Sequence, residues 1–148
     1  MLILTLKTLF RRELEKLKRE LELYKDEANL WIIDKGIANS AGNLSLHLIG
    51  NLNTYIGKEL GNTGYVRNRE LEFSQKNIPR DELLKKIDKT ILMLEKTLEN
   101  ISDQQLEEEY PAPVFDYKMS TGFFLVHLTA HLTYHLGQIN YHRRLLDA

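Results

Sequence analysis

Four of the chain's five histidines fall close together near its end, at His127, His131, His135 and His142. On a helix at 100° per residue they occupy an arc of about 80°, so they share one face. Residues four apart on a helix stand about 5–6 Å apart at Cβ, near enough for two imidazoles to chelate one ion at about 2.0–2.1 Å each. Both His127 with His131 and His131 with His135 meet that spacing. All three cannot serve one ion, because His127 and His135 are separated by about 12 Å of helix rise. A further ligand has to come from elsewhere in the chain, and His47 is the one remaining histidine. With no cysteine present, any metal must be held by nitrogen and oxygen, and disulfides, thiolate nucleophiles and iron–sulfur clusters are excluded together. Three protein ligands would leave positions open on the ion, as in catalytic rather than structural zinc sites.

The elements that must carry these residues can be read from apolar periodicity. Leu6, Phe10, Leu14, Leu17, Leu21 and Tyr24 recur at steps of three and four and predict a first long helix. Between Asp26 and Gly42 the pattern breaks, with turn signals at Lys35-Gly36 and at Asn39, Ser40 and Gly42. A second helix is expected from about Asn43 to Leu60, with Asn43, His47 and Asn51 on one polar stripe beside Leu44, Leu48, Leu52 and Tyr55. The stretch from Gly61 to Arg69, with two glycines and no period, reads as a loop. Pro79 opens a third long helix, whose stripe is Leu84, Ile87, Ile91, Leu94, Leu98 and Ile101. Ser102 and Gln105 predict a capping box for a short helical turn that Pro111-Ala112-Pro113 stops. A brief extended segment around Val114 to Lys118 follows, and Ser120 or Thr121 caps a last helix reaching Leu145. In that helix Phe124, Leu125, Leu128, Leu132, Leu136 and Ile139 form the apolar stripe, and the histidine row runs along its edge. Four long helices without an alternating strand pattern predict an all-α four-helix bundle, and 148 residues suit a single domain over 1–148.

Twenty basic against twenty-one acidic side chains give a net charge of −1, so no bulk field draws the chain to nucleic acid or to an anionic membrane. No apolar run approaches the roughly 20 residues that span a bilayer. Lys7 follows the apolar start Met1 to Leu6 at once, with no small-residue cleavage site, so the expected location is the cytoplasm. The same apolar start is a candidate contact for a homodimer.

The run from His127 through His131 and His135 to Gln138, together with His47 within Leu46 to Leu52, resembles the signatures of the DinB-like metal-binding bundles. The turn-rich Gly61 to Phe73 stretch and the spacing of the two segments are of the same type. The resemblance implies a divalent metal on His47, His131 and His135. It thereby selects the His131/His135 pair over His127/His131, and it makes His127 and Gln138 neighbours of the site and leaves His142 outside it. Characterised relatives of this type include thiol S-transferases that conjugate low-molecular-weight thiols such as bacillithiol or mycothiol, which is the activity the resemblance suggests first; others hydrolyse or isomerise their substrates, and the sequence looks closest to the many that have no assigned reaction. On that reading the metal is zinc or nickel, with iron or manganese also accommodated, and the partner is a small-molecule substrate or thiol. Arg67 and Arg69 are candidate binders of substrate carboxylates, and Asn51 and Tyr55 are candidate pocket walls. The alternatives are a metal-dependent hydrolase and a non-catalytic module that binds a metal or small ligand.

Overall fold

The computed structural model describes residues 1–148, and all of its regular structure is helical. Four long helices carry the mass: α1 (Leu2–Leu23), α2 (Ala41–Leu52), α4 (Arg80–Glu99) and α6 (Thr121–Leu146), with short helices α3 (Arg69–Ser74) and α5 (Asp103–Glu107) between them. Both α1 and α2 pack against α4 and α6, and α3 lies on α2. One hydrophobic cluster, with Phe10, Leu48, Ile87 and Phe124 among its members, runs through all four long helices. No helix is long and apolar enough to cross a membrane.

The helix boundaries follow from side-chain chemistry at their ends. Ser40 caps α2 by accepting from the Asn43 N–H, and Ser120 caps α6 by accepting from Phe123. The capping box at Ser102 and Gln105 forms on α5 as its sequence signature predicts. Pro79 stands just before α4, where its missing N–H removes no helical bond. Lys35 and Gly36 take φ values of 54° and 78°, which fits the expected turn ahead of α2. The segment expected to be extended near Val114 contributes no strand, and only an isolated bridge joins Glu109 to Ser120.

Two features differ from the periodicity reading. First, α2 does not run on as a plain α-helix: Asn53–Lys58 form a π-turn, and Glu59–Gly61 close the element with a last α turn. Such wide turns collect at functional sites. Second, the stretch read as turn-rich up to Phe73 holds the short helix α3, capped by Asn68, which accepts from the Leu71 N–H. Six residues are too few for a 3.6-residue period to register, so α3 is held by its neighbours. Asn43 supplies that hold, donating from Nδ2 to the carbonyls of Glu72 at 2.9 Å and Gln75 at 2.8 Å.

Every residue of α2 from Ala41 to Leu52 is buried, as expected of an element covered on several sides. It runs antiparallel to α6. His47 near its middle meets His131 and His135, whereas Tyr55, two turns on, meets Phe124 with ring centroids 5.2 Å apart.

Candidate metal centre

Helices α2 and α6 bring three imidazoles to one point. One ligand nitrogen from each of His47, His131 and His135 lies within 4.8 Å of the others, a cluster that could hold a metal ion. The Nε2 atoms of His47 and His131 stand 3.2 Å apart. Two nitrogens on one tetrahedral ion at about 2.0–2.1 Å are roughly 3.3 Å from each other, so this pair already has the separation that ligation needs. His47 is buried, and His131 and His135 are half-buried at the rim of the groove between the two helices.

Hydrogen bonds to the far side of two rings decide which nitrogen faces the centre. His47 Nδ1 lies 3.1 Å from Glu72 Oε1 on α3 and 3.4 Å from Arg67 Nη2; the carboxylate is the nearer and can only accept, which favours the proton on Nδ1 and the lone pair on Nε2. His135 Nδ1 lies 2.7 Å from Gln138 Oε1, one turn further along α6, with the same consequence for its Nε2. His131 Nδ1 is buried with no hydrogen-bond partner.

Burial favours the neutral, lone-pair-bearing form of the two rings on α6. Burial, with the neighbouring His135 and His47 adding to it, pushes the His131 imidazolium down to about 4 from its ordinary 6.5. His135 is also lowered by burial, partly offset by the bond to Gln138. Burial by itself would raise the Glu72 carboxyl, but hydrogen bonds from His47 and Arg67 outweigh it and hold the group below the usual carboxylate range.

Arg67, a sequence candidate for substrate binding, spends its guanidinium inside the protein. Its Nε and Nη2 donate to the two oxygens of Glu72 at 2.8 and 2.9 Å, and its side chain is largely covered. It also lies over the Tyr55 ring, 5.8 Å from the centroid. Arg69 is exposed at the start of α3 and has no ion-pair partner. His127 is exposed, stacked on Phe124 at 5.8 Å and edge-on to Phe115 at 5.1 Å, so it borders the centre one turn before His131 without joining the cluster. Asn51 is buried one turn beyond His47, and its Oδ1 has no partner. His142 stands apart: its Nε2 donates to the Ile32 carbonyl at 2.9 Å and its Nδ1 accepts from the Tyr24 hydroxyl at 2.6 Å. That imidazole is a structural tie between the end of α6, the end of α1 and the segment leading to α2.

Periodicity gave no sign of Glu72 or Gly50. Glu72 falls in a stretch without helical pattern, and its role emerges only when α3 folds back on α2. Gly50 makes that approach possible: a Cβ at this position would overlap the Glu72 carboxylate. The one available sequence signal was a glycine inside a strongly helical run, where it costs about 1 kcal/mol relative to alanine and so calls for a packing reason.

The DinB superfamily model matches residues 9–139. The chain belongs to the DinB superfamily. No curated protein matches it. For a DinB superfamily member, the fit of the donors to an ion rests on the site itself: three imidazole nitrogens and no thiolate suit the borderline divalent ions, zinc and nickel among them.

Proposed function

We propose that this DinB superfamily chain is a single-domain four-helix bundle holding one divalent ion on His47, His131 and His135, and that it is a transferase acting through a low-molecular-weight thiol. The observation that carries the metal assignment is the convergence of imidazoles from two helices, with two Nε2 atoms 3.2 Å apart. When bound, the ion supplies Lewis acidity at its open positions, which lowers the pKa of a thiol or of water there. The chain's own residues orient and insulate. Glu72 and Gln138 fix the tautomers of His47 and His135, while Arg67 neutralises Glu72 and closes one side of the site with Tyr55.

The carboxylate inventory favours a thiol nucleophile over water. A metal-dependent hydrolase needs a general base within reach of the attacking water. Of the three imidazoles His47 alone is bonded to a carboxylate, that of Glu72, and both oxygens of that group are engaged by His47 and Arg67. A thiol whose pKa falls below neutrality sheds its proton to solvent and needs no such base. Exposed Phe123 and Val126 lie beside Met1 and Leu2 and extend the apolar start of the chain, which supports pairing of two copies there.

Elemental analysis of the purified protein tests the first half of this reading. A stoichiometric divalent ion is expected, lost in His47→Ala, His131→Ala and His135→Ala. Metal content that survives all three changes refutes the site. Mixing the metal-loaded protein with bacillithiol or glutathione and a chlorodinitrobenzene electrophile tests the second half. Turnover no faster than that of His47→Ala leaves a metal-binding module in place of a transferase.

A further inference from the structure

Each proposed ligand needs an outer partner, because an imidazole that ligates through one nitrogen must donate its other N–H. His47 has Glu72 and His135 has Gln138. His131 has none: its Nδ1 is buried and unpaired. Just two other buried side-chain polar atoms in the chain lack partners, Asn51 Oδ1 and Thr54 Oγ1. With its Nε2 on an ion, His131 carries its proton on Nδ1, and leaving a buried donor or acceptor unpaired costs about 1–3 kcal/mol, so this donor and an isolated acceptor on the facing helix call for each other.

The register of α2 against α6 decides between the two acceptors. His47 meets His131 and His135, and Tyr55 meets Phe124, so the helices are antiparallel and a step along α2 is a step back along α6. Asn51, midway between His47 and Tyr55, therefore sits opposite the turn of α6 that ends at His131. Thr54 lies further on, in the π-turn and towards Phe124. Asn51 is also nine-tenths buried, which leaves its carboxamide little access to bulk water.

We propose that Asn51 is the positioning residue for His131: with Nε2 on the ion, its Oδ1 accepts the Nδ1–H of that imidazole through one buried water, and so holds the Nε2 lone pair toward the ion. This rests on the metal centre proposed above. It goes further in assigning to all three ligands a dedicated acceptor, one each from a carboxylate, a helical glutamine and a helical asparagine. Asn51 touches no substrate in this scheme and acts through His131 alone.

Imidazole nitrogen shifts of 15N-histidine-labelled, zinc-loaded protein near neutral pH test the assignment. The expected result is His131 ligated through Nε2 with its proton on Nδ1, passing to a mixture of Nε2- and Nδ1-ligated forms in Asn51→Leu and returning to the Nδ1–H form in Asn51→Asp. The Thr54→Val variant is expected to match the parent. In a chelator competition with zinc, Asn51→Leu should lose about 10- to 100-fold in affinity, as outer-partner changes at metal histidines do. An unchanged His131 tautomer in Asn51→Leu overturns the proposal, as does a loss that appears in Thr54→Val instead. If the leucine variant fails to fold, Asn51→Ala is read in the same way. Failure of the parent protein to bind zinc at all refutes the centre, whereas zinc binding with an unchanged His131 in Asn51→Leu refutes the role of Asn51 alone.

Discussion

Replacing Gly50 by alanine adds one methyl group, and it adds it where the Glu72 carboxylate lies across α2. The carboxylate must move, and it then gives up the His47 bond at 3.1 Å and the two Arg67 bonds at 2.8 and 2.9 Å. Breaking a buried ion pair by displacing one partner costs about 3–5 kcal/mol. Alanine recovers about 1 kcal/mol of helix propensity over glycine. The net loss is therefore about 2–4 kcal/mol, which for a chain of this size lowers Tm by about 4–16 °C. Without Glu72 the His47 ring loses its tautomer control, so zinc affinity should fall by about 10- to 100-fold. Thermal melts with and without chelator give the first number and chelator competition the second. In the double variant Gly50→Ala with Glu72→Ala the two losses should fall short of their sum, because both act through one carboxylate. A Gly50→Ala protein that melts and binds zinc like its parent would falsify the account of how α3 is seated.

Acidification should destabilise the metal-free protein in a defined window. His131 titrates near 4 when folded against 6.5 ordinarily, so the unfolded chain binds more protons between these values. The contribution is intact above pH 6.5 and is lost as pH falls towards 4, and a urea midpoint that rises over that range would contradict it. The His142→Phe change takes one partner from the Ile32 carbonyl and leaves the Tyr24 hydroxyl with only the long 3.5 Å bond to the Ile139 carbonyl, for a loss of about 1–3 kcal/mol in denaturant melts; zinc affinity should hold, and a fall in affinity would tie His142 to the centre after all. Asn43→Ala should release the end of α3, so that urea stability and zinc affinity drop together, and a stability loss without an affinity loss would mean that Glu72 keeps its place unaided.

The long helices could be read from the chain because each buries a continuous apolar stripe, and because Ser40, Ser102 and Ser120 use their hydroxyls where a helix start needs an acceptor. The histidines were legible in a narrower sense. Spacing along α6 allowed two pairs equally, and what separates them in space is the register of α2, which local sequence does not encode. Phe124 and Phe115 draw His127 aside into an aromatic stack, a contact formed by residues that carry no metal chemistry. Arg67 looked like a free loop cation because its partner, Glu72, sits in a helix too short to leave a period. The π-turn left no mark on the periodicity either, although Gly57 and the β-branched Thr54 and Ile56 lower the helix propensity of that segment.

That wide turn divides α2 into two parts that evolution can tune separately. It accommodates a residue more than an α turn would, so loss of a single residue between 53 and 58 can be taken up by a return to the regular pitch that leaves everything after it roughly in phase. The segment carrying His47 would keep its footing on α6 and α3, and the change would fall on the turn that sets Tyr55 against Phe124 and the Arg67 guanidinium. Short insertions and deletions at this point therefore offer related chains a route to remodel the wall beside the imidazoles without disturbing the imidazoles themselves.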